Sequence, residues 1–211
     1  MTNSGAASAK GGNHKDSLVL GVTGHRVDLL PAEDVPQLRR TVRNVLDGLA
    51  RSSTGPLTLV SSLAEGADQL VAEEALAAGY QLVSPLPFAR DLYERDFARE
   101  VTLETFRRLL DQASEVVELP GERTSSEADR AAYAEAGERM LEQVDVLLAI
   151  WNGAAARGTG GTAEIIASAG ERGLPTVWIH ASSPHDVQVL AADEERRTAL
   201  EGLLQPQVER S

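Results

Sequence analysis

Apolar residues in this chain fall into short continuous runs, separated by longer stretches in which they recur every three or four positions. Residues 146–151, VLLAIW, form an unbroken run of strand length, which predicts a strand buried on both faces. Residues 18–23 (LVLGVT), 57–61, 81–86, 115–119 and 176–179 read as five further strands, with Gly55-Pro56, Pro87 and Gly173-Leu174-Pro175 as breaks beside them. Between the first two, Val35, Leu38, Val42, Val45, Leu46 and Leu49 stand at helical spacing and predict a helix over 33–52. A second helix turns Ala67, Leu70, Val71 and Ala75 inward and stops at Gly79, a C-cap signal. A third is expected over 91–110, opened by Asp91 and Glu94 at capping-box spacing, with others over 131–143, from the 158–162 glycines to about 172, and over 193–204. Residues 122–129 are polar and read as a loop. Strands alternating with helices of this length predict an α/β fold, a doubly wound, mainly parallel sheet with helices on both faces.

Composition narrows the class. The 211 residues fit one domain over 17–205, with a Ser/Ala/Gly-rich tail before it and a frayed tail from 206. Cysteine is absent, which excludes disulfides, thiol catalysis and Cys-ligated zinc and suits the cytoplasm. No apolar run approaches the ~18 residues of a membrane span. The formal net charge of −12 would repel duplex nucleic acid, and Arg39-Arg40, Arg107-Arg108 and Arg196-Arg197 sit beside acidic residues on predicted helices rather than forming a basic strip. Nucleic acid is therefore an unfavoured partner. His14, His25, His180 and His185 have no metal-ligand spacing, and neither a structural metal nor a cofactor is expected.

Ligands of a parallel sheet bind at the carboxyl ends of its strands, so the loops that follow strands are the ones to search. Gly24-His25-Arg26 follows the first strand; at such a place the Arg26 guanidinium suits a phosphate, which it can meet with two donors. His25 is open between packing, hydrogen bonding and titration. Gly158, Gly160, Gly161 and Thr162 stand between the 146–151 strand and a helix, where glycine amides and a helix N-terminus favour an anion, though a plain turn would use the same glycines. In the loop after the second strand, Glu65 has capping-box spacing with Ser62 and is equally suited to accept from ribose hydroxyls; Gly66 and Asp68 lie at the start of the helix that follows. Phe88 is the candidate to stack on a base, whereas Tyr93 and Phe97 read as core; Trp151 either lines the pocket or packs beneath it.

In chain order the segments 21–26 (GVTGHR), 61–68 (SSLAEGAD), 86–88 (LPF) and 151–153 (WNG) with 158–162 (GTGGT) resemble the SLOG superfamily over residues 18–179. That group includes the LOG phosphoribohydrolases, the DNA-processing protein DprA and sensor domains of TRPM channels and bacterial defence proteins. The resemblance implies a Rossmann-like fold, a nucleotide or nucleotide-derived ligand and a homodimer or larger homo-oligomer. One departure bears on activity. LOG enzymes carry a PGGxGTxxE pattern with a catalytic Glu. Here no Pro precedes the glycines and Glu164 comes two residues after Thr162 rather than three, a turn of about 100° on a helix. Hydrolase chemistry does not carry over to Glu164, which leaves Glu65 as the candidate catalytic carboxylate, with Asp68 beside it. The expected function is a sensor or binding protein for a phosphorylated nucleoside, ADP-ribose- or NAD-like molecule. The alternatives are an N-glycosidic phosphoribohydrolase and, disfavoured by charge, a DprA-like DNA binder. The 91–110 helix, with Leu92, Phe97, Val101, Leu103, Phe106 and Leu109, is either an oligomer interface or a cover for the sheet.

Overall fold

A computed structural model describes residues 16–154 and 161–205. Seven strands make one sheet: β1 (Leu18–Gly24), β2 (Leu57–Val60), β3 (Gln81–Leu86), β4 (Glu115–Glu118), β5 (Val146–Trp151), β6 (Thr176–His180) and β7 (Ser183–Leu190). Their order is β4-β3-β2-β1-β5-β6-β7, and every pairing is parallel except β6 with β7. The chain therefore winds outward from β1 in one direction and from β5 in the other, and the direction reverses between these two central strands. This is the doubly wound, mainly parallel α/β architecture that the strand–helix alternation predicts.

Among the described residues seven α-helices flank the sheet: α1 (Val35–Ala50), α2 (Ala67–Ala77), α3 (Arg90–Tyr93), α4 (Glu100–Leu110), α5 (Ser126–Leu141), α6 (Thr162–Glu171) and α7 (Glu194–Leu204). Helices α1, α2, α4 and α7 pack together on one face, and α5 and α6 on the other. The apolar run of β5 is buried from Val146 to Ile150, with Trp151 half-buried at its end, because its period of two serves both sides. Val146, Leu148 and Ile150 join the larger core, and Leu147 joins Met140, Val144, Ile165 and Ala169 on the α5–α6 side.

Three expectations change. The continuous 91–110 helix is instead α3, a 3-10 turn over Glu94–Asp96, and α4, with Phe97 extended between them (φ −91°, ψ 101°). No side chain caps α3; Glu94 instead takes Arg90 and Arg107 as partners, and two arginines make better use of its carboxylate than one amide does. Helix α5 begins at Ser126 inside the predicted loop, its N-cap Ser125 accepting from the Ala128 amide at 3.1 Å. Strand β7 was not anticipated: it is the antiparallel edge, where the interruption by Pro184 is tolerated. Of the six apolar residues proposed as an interface, Leu92, Phe97, Leu103, Phe106 and Leu109 pack on the core and Val101 alone remains exposed, at 64%. No helix among the described residues is long and apolar enough to cross a membrane.

Candidate functional site

The reversal between β1 and β5 leaves a crevice at the carboxyl ends of the strands, because the connections leave these two strands toward opposite sides. The loop after β1 is fixed there by its backbone. The His25 amide donates to Ile150 O at 2.9 Å, and the Ala67 amide at the start of α2 donates to His25 O at 3.0 Å. Both steps demand glycine. A Cβ on Gly24 would lie 2.5 Å from the Ala67 Cβ, and one on Gly66, whose φ is +109°, would lie 2.5 Å from His25 O. His25 adds a third tie, its Nε2 accepting from the Asn152 amide at 3.1 Å. The clamp presents Arg26 to the crevice, with its guanidinium carbon 5.9 Å from the Tyr133 ring centroid.

The loop after β2 is equally constrained. Ser61 Oγ receives the Leu63 amide at 3.0 Å and donates to Asp68 Oδ2 at 3.1 Å. Leu63 is fully buried with φ +58°, a left-handed conformation that a leucine adopts only under compulsion from its surroundings. Its strain sits in the segment that aims Ser62, Ala64 and Asp68 at the crevice. Asp68 is 7% exposed. Burial pushes its carboxyl from 3.8 up to about 7, against the opposing pull of the Ser61 hydroxyl, the Ala64 amide and the Arg26 charge. A carboxyl in that range changes protonation near neutrality.

The resulting cleft has a volume of about 220 Å³. Arg26, Ser62, Asp68, Tyr93 and Tyr133 give it a polar lining, Val22, Ala136, Met140 and Ile165 an apolar one, and Gly161 and Thr162 bring the N-terminus of α6 to its wall. The Tyr93 hydroxyl is buried and has no hydrogen-bond partner among the described residues, a cost of about 1–3 kcal/mol that a ligand atom would remove.

Of the residues singled out from sequence, Gly24, Arg26, Ser62, Asp68, Gly161 and Thr162 meet in this cleft. Gly158 and Gly160 lie outside the described residues. Gly66 shapes the cleft from behind and His25 clamps it, but neither lines it. Glu65 turns away. Its Oε1 accepts from Thr102 Oγ1 at 2.7 Å, and no side chain caps α2, so the Ser62–Glu65 capping box does not form. Phe88 has no exposed surface: Tyr133 meets it edge-on and the Arg123 guanidinium covers it at 4.0 Å. Trp151 packs on Trp178, whose Nε1 donates to Trp151 O at 2.9 Å. Thr23, Tyr93 and Tyr133 are the polar lining residues that the pattern did not single out. The clustering of the scarce aromatics near Tyr93 was a usable signal, but it pointed first to its neighbour Phe88.

No protein-family model matches the sequence, and no curated protein matches it. Among solved structures, DNA processing protein A (DprA) of Streptococcus pneumoniae is similar over 89% of this chain and 56% of its own, at 14% identity and a TM-score of 0.51. DprA of Helicobacter pylori, which binds single-stranded DNA, is similar over 89% of this chain and 74% of its own, at 13% identity and a TM-score of 0.51. The chain thus spans little more than half the length of the first protein and about three quarters of the second. It shares the mainly parallel, Rossmann-like α/β fold of these DprA structures, the architecture that the strand–helix alternation predicts.

Proposed function

We propose that the cleft binds a nucleotide or nucleotide-derived small molecule, a phosphorylated nucleoside of the AMP, ADP-ribose or NAD kind, and that the protein acts as a sensor or carrier of that ligand. The observation that carries this reading is Arg26. It is a half-buried guanidinium that lines a cleft opposite the N-terminus of α6 and has no carboxylate ion pair among the described residues. The other half-buried arginines among the described residues, Arg39, Arg90, Arg123 and Arg197, each pair with Asp or Glu. A cation and a helix N-terminus facing one small space favour a phosphate there.

Thermal-shift titration with AMP, ADP-ribose, NAD and cyclic nucleotides tests the reading. At least one should raise the melting temperature of the wild type in proportion to the logarithm of its concentration. If none does, the reading fails. Single-stranded DNA, the ligand of the Helicobacter pylori protein, offers the same phosphate and sugar, so an oligonucleotide belongs in the same series at low and moderate salt. If ligand is instead consumed with release of free base, the cleft is that of an N-glycosidic hydrolase, and Asp68 rather than Glu65 is the carboxyl placed to serve it.

A further inference from the structure

The groups that line the cleft divide unevenly between the parts of a nucleotide. Among the lining side chains, Arg26, Ser62, Asp68 and Tyr93 offer a cation, a hydroxyl, a carboxyl and a second hydroxyl with no hydrogen-bond partner among the described residues. That combination matches a sugar phosphate, an anion joined to vicinal hydroxyls. Among the described residues little is left to read a base. The apolar lining residues Val22, Ala136, Met140 and Ile165 are 3%, 2%, 4% and 5% exposed and carry no donor or acceptor in their side chains. Nor does any neighbouring aromatic among the described residues present a free face. Phe88 is closed off by Tyr133 and Arg123, and Tyr93 is flanked at 5.5 Å by Phe97 and Phe106. Trp151 lies on Trp178, and the Tyr133 ring has Arg26 over it. The volume, about 220 Å³, also falls below the roughly 300 Å³ at which pockets for drug-sized ligands begin.

We propose that the cleft recognises the pentose phosphate of its ligand and leaves the base outside. The phosphate faces Arg26 and the first turn of α6, and the sugar hydroxyls meet Asp68 and the open hydroxyl of Tyr93. A base-free sugar phosphate is therefore a ligand in its own right. The proposal rests on the nucleotide reading of the same cleft and is narrower than it.

Isothermal calorimetry on the full chain separates the two. Ribose 5-phosphate should bind within about tenfold of AMP, and AMP, GMP, CMP and UMP within about threefold of one another, since no side chain discriminates their bases. Adenosine, which lacks the phosphate, should show no heat. Tyr93→Phe keeps the ring and its packing and removes only the hydroxyl, so it should weaken ribose 5-phosphate and AMP equally, by about five- to twentyfold. If AMP binds while ribose 5-phosphate is about a hundredfold weaker or undetectable, the base is being read and the proposal falls, with the nucleotide site intact. The same conclusion follows if the four nucleotides differ by more than about tenfold. If neither ribose 5-phosphate nor any nucleotide binds, the nucleotide reading itself is overturned. An unchanged affinity in Tyr93→Phe removes Tyr93 from the site.

Discussion

Helix α2 carries two buried carboxyl groups, and the protein treats them in opposite ways. Asp68, in the first turn, is 7% exposed; Glu74, six residues on, is 5% exposed. Glu74 is surrounded by cations. Arg39 Nη1 donates to it at 2.6 Å, and Arg43 Nε donates to its other oxygen. Burial alone would raise its pKa, but the two arginines win and hold it below the ordinary range. Asp68 has no such pair among the described residues. Arg26 acts on it only through space, and burial wins. Helix α1 brings arginines to the carboxyl at the end of α2 remote from the cleft and none to the carboxyl at the other end. Paired charges there serve the fold; the incompletely compensated acid and a half-buried arginine with no carboxylate pair among the described residues mark the end where a ligand belongs.

The largest expected effect breaks this comparison through pH. Folding raises the pKa of Asp68 from 3.8 to about 7, so between those values the folded state holds a proton that the unfolded chain has lost. The stability this contributes is complete below about pH 4 and disappears as pH rises through about 7, a loss on the order of 4 kcal/mol. Glu74 works in the other direction and in another window. Its lowered pKa contributes stability that is present above 4.5 and lost as pH falls through the folded value. Urea denaturation at pH 5 and pH 8 should show a wild type markedly weaker at the higher pH and an Asp68→Asn variant with most of that difference gone. The groups facing Asp68 are the Ser61 hydroxyl, Arg26 and Tyr93, none of which titrates between those pH values. An equal slope in wild type and variant would show that Asp68 is not the titrating group.

Next in size is Arg26→Ala. Removing a charge-assisted donor from the cleft should weaken nucleotide binding by about 1.5–3 kcal/mol, roughly 10- to 150-fold in Kd. Melting temperature without ligand should change little, because the side chain closes no ion pair among the described residues. A variant that binds as tightly as wild type would place the phosphate elsewhere.

Glu74→Gln is the counterpart at the paired end. Glu74 is buried, but the Arg39 and Arg43 side chains are 33% and 56% exposed, so the cluster stands between a surface and a buried ion pair. Its loss should cost about 1–2 kcal/mol in chemical denaturation at pH 7 and leave ligand affinity unchanged. Weakened binding in this variant would mean that the two ends of α2 are coupled and that the comparison above divides them too sharply.

The sheet was legible because its signals are local and redundant. An apolar run such as 146–151 admits few structures, and the carboxyl-end rule then selects the right loops before strand order is known. What escaped reading depends on direction in space. The break between α3 and α4 falls at Phe97-Ala98-Arg99, with neither Gly nor Pro to mark it, while apolar residues recur across it as in a single helix. Ser62, Glu65 and Asp68 share one loop and helix start, yet Ser62 and Asp68 face the cleft and Glu65 faces α4. The backbone angles of Leu63 and Gly66 decide this, and only the glycine is visible in sequence. Tyr93 and Tyr133, forty residues apart, become neighbours only when α3 and α5 meet above the carboxyl ends of the strands.

The smallest expected effect concerns Glu65, the residue whose position most changes the chemistry. Cleavage of an N-glycosidic bond builds positive charge on the sugar, and a carboxylate beside it can stabilise that charge or activate water. Glu65 instead accepts from Thr102 Oγ1, while Gln69, on the next turn, donates to Thr102 O at 2.9 Å. Together they tie the β2 loop to α4. In Glu65→Gln the amide oxygen can still accept the Thr102 hydroxyl, so stability should change by no more than about 1 kcal/mol and affinity by no more than about twofold. Long incubation of AMP or NAD with excess wild type, followed by chromatography, should return the ligand intact. Free base released over many turnovers would establish a hydrolase. If Glu65→Gln alone abolished that release while binding persisted, Glu65 would reach the sugar after all, and the division of labour between Asp68 in the cleft and Glu65 behind it would have to be reversed.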